Sequence, residues 1–447
     1  MTPLPRIIIA APGTGQGKTT VATGLMAALR RAGHEVSGHK VGPDYIDPGY
    51  HSLASGRPGR NLDPHLVGDH QIVPLLQHGA RGADIAVIEG VMGLFDGRIG
   101  TQGYASTAHV ATLTRTPVIL VVDVARASRS IGAIVHGMAT WDPRIGVAGV
   151  ILNRAGSARQ IDEIRDAVGL PVLGVIPRDP DLVTPSRHLG LVTAAERDES
   201  AAVVDRLADV VPQHVDLDAV LDIARSAAEL DGAPWDPAVA LGEAHVATPE
   251  HRPVVAIAAG RAFTFRYAET VELLRAAGCE PVEFDPANDT ALPDAAAGLY
   301  LGGGFPEEHA VALADNAALR AEICDAVTDG LPTVAECAGL LYLCRTLDDR
   351  PMAGVLDADA RMSDRLTLRY PEAIATENTL LTSAGERVTG HEFHRTVVVP
   401  GTGRSPAWFI DREPVGFADA TLHASYLHTH WAGYPQLAAR FAAAVRG

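Results

Sequence analysis

Residues Ala10–Thr20 read AAPGTGQGKTT, directly behind the apolar run Ile7–Ile9 and directly ahead of a helical pattern. A buried-type strand, a glycine-rich turn and a helix start, in that order, make a phosphate-binding loop. Gly13, Gly15 and Gly17 let the backbone turn its N–H groups inward around a polyphosphate. Lys18 brings a charge to the β- and γ-phosphates, and Thr19, with Thr20 beside it, offers a hydroxyl to Mg²⁺. The strict pattern has a glycine where this chain has Pro12.

Beyond the loop, Val21, Leu25, Ala28 and Leu29 recur at helical spacing until Gly33 stops the helix. Short apolar runs then alternate with helical stretches: 35–41, 84–89, 117–123, 146–152 and 171–176. Continuous Val/Ile/Leu runs of this kind suit strands buried on both faces of a parallel sheet. The expectation for residues 1–196 is a doubly wound α/β domain. Residues 197–251 change character, with acidic helical spacing followed by DGAPWDP and ATPEHRP, and read as a helical appendage and linker. A second alternating series fills 252–447, with strands expected at 254–259, 281–284, 298–301 and 332–335 and helices at 268–277 and 316–329. A β-rich part and a last helix over 435–445 complete it. There is no internal repeat and no low-complexity tail.

A chain of 447 residues is long enough for two cores. Its net charge of −17 argues against nucleic acid or an anionic membrane as partner, because no general positive field would attract phosphates. The four cysteines, Cys279, Cys324, Cys337 and Cys344, have no metal-ligand spacing and fit a reducing cytosol. No segment approaches the ~18 apolar residues of a membrane span, so the expectation is a soluble, cytoplasmic protein. Oligomeric state stays open, with a homodimer as one option.

Mg-nucleotide chemistry needs carboxylates at the carboxyl ends of strands near the phosphate loop. Glu89 ends the run IAVIE and is the leading candidate. Asp44 and Asp47 follow another strand in HKVGPDYIDPGY, and Asp96 lies in EGVMGLFDG. Singly each acid reads as a turn former; together beside the loop they favour metal and substrate work. In the second half, PTVAECAGLLYL reads as strand, tight turn and helix, with Cys337 at the turn and its sulfur near a helix N-terminus that would favour the thiolate. LGGGFPE suits a turn whose N–H groups face an oxyanion. A thiolate nucleophile needs a base to protonate its leaving amine, and SYLHTHW near the chain end supplies one.

KVGPDYIDPGYH, EGVMGLFDG, ILNR followed by GS, and PSRHLGL together resemble the cobyrinic or hydrogenobyrinic acid a,c-diamide synthase family, over the whole chain. That resemblance implies an N-terminal domain similar to dethiobiotin synthetase and a C-terminal class I glutamine amidotransferase domain of the cobyrinate type. It also implies ATP- and glutamine-dependent amidation of a corrin polycarboxylate in cobalamin biosynthesis. By the same likeness, Asn153 and the loop at Pro177 lie by adenine, and Thr19, Glu89 and Asp44 or Asp47 hold Mg²⁺. Lys40 lies near the phosphoryl group in transfer. Asp47 and Asp96 orient the substrate carboxylate or take a proton from ammonia. Cys337 becomes the nucleophile, and the Gly302–Gly304 backbone part of the oxyanion hole. His428 is preferred as base, with His430 as its orienting partner or the alternative base. His391 and His394 are candidates for a route between the sites. Arg57, Arg60, Arg126, Arg129, Arg187 and His188 are candidates for a cationic rim around the substrate.

A carboxylate is a poor electrophile toward ammonia, so the implied chemistry is phosphorylation to an acyl phosphate, then displacement of phosphate, with Lys18, Lys40 and Mg²⁺ neutralising charge. Nothing in the sequence separates a cobalt-containing from a metal-free corrin; overall likeness leans to hydrogenobyrinate. A near alternative is another tetrapyrrole acid, such as a metal-sirohydrochlorin. An alternative of a different class is a partitioning-type switch ATPase. That class carries a second, signature lysine in the stretch Pro12–Gly15, where this chain has none, and a Cys–His half would go unexplained.

Overall fold

The computed structural model describes residues 3–179, 186–187, 190–191, 200–242 and 251–447, with 186–187 and 190–191 as backbone only. The chain forms two compact units. One comprises Met1–Pro64 and Gly68–Trp235, the other His65–Val67 and Asp236–Gly447.

The first unit is built on seven strands: β1 (Arg6–Ala10), β2 (Val36–Val41), β3 (Arg60–Leu62), β4 (Ile85–Glu89), β5 (Val118–Asp123), β6 (Val147–Ala155) and β7 (Val172–Pro177). They lie in the order β3-β2-β4-β1-β5-β6-β7, and every pairing is parallel. The apolar runs read from the sequence are six of these strands, β3 being a short polar-led one outside those runs, and Ile7, Ile8, Ile9, Val87, Ile88, Ile119 and Leu120 are fully buried. A parallel sheet covered on both faces requires such runs. Helix α1 (Lys18–Arg31) follows β1 through the phosphate-binding loop. The helix Ser200–His214 packs against α1, and Gly24 makes room for it, since a Cβ there would meet Val211 Cγ2 at 2.5 Å. The buried Arg6 guanidinium binds the Leu4, Thr114 and Ala228 carbonyls at 2.8, 2.7 and 2.5 Å, tying the chain after the helix Leu217–Arg225 to the start of β1.

The second unit has a six-stranded sheet. In spatial order its strands are Glu280–Phe284, Val254–Ala258, Ala296–Leu301, Thr333–Glu336, Leu422–Ser425 and Phe417–Ala418. Only the last pair is antiparallel. Two four-stranded sheets make up the β-rich part, the longer strands being Asp359–Arg369 and Glu392–Val399. The helix Pro435–Arg446 closes the chain, and the glycine at 298 admits its Val445, whose Cγ2 would lie 2.5 Å from a Cβ there. The sequence-based fold class therefore holds in both halves. Among the described residues no helix is long and apolar enough to cross a membrane.

Candidate active sites

In the first unit, sheet register sets the site. Lys40 in β2 pairs with Glu89 in β4, and Ile9 at the end of β1 pairs with Glu89 from the other side. The carboxyl ends of three strands thus meet where the phosphate loop begins, which is where open α/β sheets bind ligands. Gly15 and Gly17 have φ of 80° and 95°, the left-handed region in which a side chain is strained. Position 17 has a second constraint, because a Cβ there would lie 2.2 Å from Asn153 Nδ2.

Lys18 is buried, with Nζ 2.5 Å from the Met92 carbonyl and 3.3 Å from that of Gly13. Burial and then the Lys40 charge push its ammonium down to about 8. Lys40 Nζ binds Asp47 Oδ2 at 2.6 Å, Glu89 Oε1 at 3.0 Å and the Gly90 carbonyl at 3.1 Å. Burial alone would lower the Lys40 pKa, but Asp47 and Glu89 hold it above its ordinary value. Burial acts against the Glu89 carboxylate too, and Lys40, His51 and Thr19 overcome it to hold Glu89 well below the usual carboxylate range. Asp47 goes the other way, pushed up by burial and by its neighbours Asp44 and Glu89.

Thr19 Oγ1 donates to Glu89 Oε1 at 2.6 Å and lies 3.4 Å from Asp47 Oδ2. Of the two aspartates left open by the motif, Asp47 is the one in this cluster. Asp44 Oδ1 accepts the Ile46 and Asp47 N–H groups at 2.8 and 3.0 Å and so fixes the turn that leads into the helix Asp47–Ser55. Among the described residues no group of three His, Cys, Asp or Glu side chains is arranged to hold a metal alone. The hydroxyl of Thr19 with the carboxylates of Asp47 and Glu89 is nevertheless a hard-oxygen set of the kind Mg²⁺ takes when phosphate oxygens and water complete its shell. Asp96 is exposed and its Oδ2 accepts the Gly93 N–H at 3.0 Å, shaping the loop after β4.

Asn153 comes to the phosphate loop from the end of β6, its Nδ2 donating to the Gln16 carbonyl at 2.9 Å. Pro177 ends β7 and is exposed. Arg154, unremarked in the sequence, bonds Asp123 Oδ2 at 2.6 Å and the Gly15 carbonyl at 3.1 Å. His51 was also missed: its Nε2 lies 2.7 Å from Glu89 Oε2, and it is fully buried. Its signal was in the motif, since Asp47 and His51 are four residues apart on one helix face. Of the rim candidates, Arg60 is buried and Arg57 gives its guanidinium to the Arg81 carbonyl at 2.6 Å. Neither forms an open cationic rim. Arg126 and Arg129 are exposed. His188 and the side chain of Arg187 lie outside the described residues.

In the second unit Cys337 stands at the turn between the strand Thr333–Glu336 and the helix Ala338–Leu343, with φ 50° and ψ −94°. A non-glycine residue held there stores strain, as nucleophile elbows do. The surroundings oppose the expected thiolate. Burial pushes the Cys337 thiol well up, and Glu307, Glu392 and Glu336 add to the effect, outweighing the Ala338 N–H that bonds the sulfur. The short helix brings too little positive potential to offset a buried, acid-ringed site. Within the Gly302–Gly304 stretch, the Gly303 N–H goes to the Phe265 carbonyl at 2.9 Å, so that amide is not an oxyanion donor in this state.

The strand Leu422–Ser425 ends before the two histidines. His428 pairs with His391 through reciprocal backbone bonds of 3.0 and 3.1 Å, and their rings stack at 4.9 Å. The Cε1–Nε2 edge of His428 lies against Gly303: a Cβ there would be 2.4 Å from Cε1 and 3.2 Å from Nε2. His430 instead stacks on Tyr267 at 4.0 Å, with Glu269 3.7 Å from its Nε2. Tyr267 Oη reaches His391 Nε2 at 3.2 Å. His394 stacks on Tyr426 at 3.8 Å. Burial lowers the pKa of His391 strongly and that of His394 to about 4.

Comparison with known proteins separates the same two halves. Residues 7–192 match the CobQ/CobB/MinD/ParA nucleotide binding domain and residues 254–436 match the CobB/CobQ-like glutamine amidotransferase domain. The class is that of a two-domain amidotransferase with a nucleotide-binding half. A hydrogenobyrinate a,c-diamide synthase of Thermobifida fusca is 60% identical, covering 99% of this chain and 97% of that protein. The same enzyme of Streptomyces coelicolor is 52% identical over 98% and 97%. A cobyrinate a,c-diamide synthase of Synechococcus is 39% identical over 97% of each. The chain belongs to the hydrogenobyrinate/cobyrinate a,c-diamide synthase family, as its motifs led us to expect.

Proposed function

We propose that this chain is an ATP- and glutamine-dependent ligase that amidates the a- and c-carboxylates of hydrogenobyrinate in cobalamin biosynthesis. The observation that carries it is the 60% identity to a hydrogenobyrinate a,c-diamide synthase over nearly the full length of both chains. Hydrogenobyrinate is preferred to cobyrinate because the relatives named for it are 52–60% identical, against 38–39% for those named for cobyrinate. A cytoplasmic location belongs to the same proposal and suits four free cysteines.

In the first unit the substrate carboxylate attacks the γ-phosphorus of ATP, forming an acyl phosphate and releasing ADP. Ammonia then adds to the acyl carbon, loses a proton, and expels phosphate to leave the amide. Lys18 and Lys40 bring the charge that neutralises the transferring group. Asp47, within reach of Lys40, would orient the substrate carboxylate or take a proton from ammonia, and Asp96 would shape the loop that receives the carboxylate. Thr19, Asp47 and Glu89 would hold Mg²⁺, which when bound offsets phosphate charge and orients the phosphates. Asn153 and the chain at Pro177 would border the nucleotide base.

In the second unit Cys337 attacks the glutamine side-chain amide. The C–N bond breaks with proton transfer from His428, ammonia leaves, and water hydrolyses the glutamyl thioester to glutamate. His428 is favoured over His430 by its contact with Gly303.

The test is mass spectrometry of products from ATP, glutamine and a panel of tetrapyrrole acids. Two amides on hydrogenobyrinate and none elsewhere is the expected result; amidation of a metal-sirohydrochlorin instead would overturn the substrate. The Cys337→Ser enzyme is expected to lose glutamine-driven synthesis by about a thousandfold or more while keeping ammonia-driven synthesis within about twofold of wild type.

A further inference from the structure

Glu336 precedes Cys337 in the chain and ends the buried strand Thr333–Glu336, its side chain only 5% exposed. A carboxylate so far from water needs donors, and it has them. Tyr300 Oη–H donates to Oε2 at 2.9 Å, and the Thr429 hydroxyl and N–H donate to Oε1 at 3.1 and 3.3 Å. Tyr300 comes from the adjacent strand Ala296–Leu301, and Thr429 sits between His428 and His430. The Trp431 indole N–H in turn donates to the Thr429 hydroxyl at 3.2 Å. The carboxylate is thus fixed from two sides.

Its Oε2 faces His428 Nδ1 at 3.7 Å. On the other side of that ring, Cε1 and Nε2 lie against Gly303. The backbone bonds to His391 hold the residue in place but do not set the rotation of its ring about χ1 and χ2. At 3.7 Å the Glu336 carboxylate is beyond direct hydrogen-bond length. A negative charge held on the Nδ1 side still favours the ring orientation and tautomer with hydrogen on Nδ1, and the imidazolium formed when Nε2 takes a proton. The neighbouring acids are engaged elsewhere. Glu269 faces His430, and Glu392 takes the Arg369 Nε–H at 2.6 Å.

We propose that Glu336 is the positioning residue of the glutaminase site, holding the His428 ring in the tautomer and rotation that proton exchange with Cys337 requires. The inference rests on the Cys337–His428 assignment made above. In thioester formation the thiol proton passes to His428 Nε2 and from there to the departing nitrogen. Glu336 neither gains nor loses a proton; it offsets the imidazolium charge in between. Because Glu336 is peptide-bonded to Cys337, one backbone segment aligns both the nucleophile and the orientation of its base.

The experiment uses full-length wild-type, Glu336→Gln, Glu336→Asp and Tyr300→Phe enzymes, with glutamine hydrolysis and ammonia-driven amidation measured on each. For Glu336→Gln, kcat for glutamine hydrolysis is expected to fall about 10- to 100-fold, with KM for glutamine within about threefold and ammonia-driven synthesis unchanged. Glu336→Asp keeps the charge and is expected to recover part of the loss. Tyr300→Phe, which frees Oε2 without removing it, is expected to lower kcat by about three- to tenfold. A Glu336→Gln enzyme with wild-type kcat would overturn the inference, as would equal changes in kcat and KM. Should Glu336→Gln fail to fold, an unchanged kcat in Tyr300→Phe would overturn it. If wild type itself releases no ammonia from glutamine, the Cys337–His428 assignment falls instead, and the two failures are told apart.

Discussion

The two sites are made with the same local device and opposite electrostatics. Each stands after a strand of a parallel sheet, at a tight turn that opens a helix: Gly15–Gly17 before α1 in one, Cys337 before Ala338–Leu343 in the other. In the first, a buried ammonium is surrounded by carboxylates, and mutual pairing keeps Lys40 and Glu89 ionised against the pull of burial. In the second, burial and the nearby acids Glu307, Glu392 and Glu336 push the Cys337 thiol up, and burial lowers the pKa of the histidines His391 and His394. A buried charge persists only where its counter-charge is buried with it. One site is charged at rest, ready for an anionic ligand. In the other, the surroundings oppose ionisation of the cysteine and of its neighbouring histidines.

The largest expected effect tests the first half of that contrast. Glu89→Gln leaves Lys40 with one carboxylate and takes a donor from the hard-oxygen set. Amide formation from either nitrogen source is expected to fall by about 100- to 1,000-fold, while glutamine hydrolysis continues at the wild-type rate. Full synthetic activity would remove Glu89 from the charged site. A smaller effect is expected from Gly303→Ala. The added methyl meets the His428 ring edge at 2.4 Å and must turn it, so glutamine hydrolysis drops by about tenfold or more and ammonia-driven synthesis stays as it was. Loss of both activities would mean that position 303 supports the fold rather than the base.

The mildest test is one of pH. A raised thiol pKa means that little thiolate exists at neutral pH and that its share grows with alkalinity. Alkylation of Cys337 by iodoacetamide without glutamine, followed by peptide mass spectrometry, is therefore expected to keep rising past about pH 9, where an ordinary thiol levels off. A plateau below about pH 7 would restore the resting thiolate and erase the contrast between the sites.

Much of this was legible in the chain. The strands of the first sheet and its fold class follow from continuous apolar runs, because burial on both faces leaves no polar alternation. The phosphate loop and the Cys337 turn were legible because each is a local arrangement within about a dozen residues. Other features were not. Asp44 and Asp47 stand three apart in one motif, and only folding shows that one fixes a turn while the other meets Lys40. His428 and His430 meet different partners from distant segments, Gly303 and Tyr267. His51 stood inside a motif without showing that it would meet Glu89 from a distant strand, and Glu336 gave no sign of its partners Tyr300 and Thr429.

The amino-acid sequence alone pointed to the two α/β halves, the phosphate loop, the strand–turn–helix around Cys337 and the family. Each depends on residue types at short spacing, where backbone geometry alone dictates what meets. The tertiary structure decided the ionisation of the sites, the aspartate beside Thr19 and the carboxylate facing His428. Those depend on burial and on pairs far apart in the chain, such as Lys40 with Glu89 and Glu336 with Thr429, which sheet register and packing bring together.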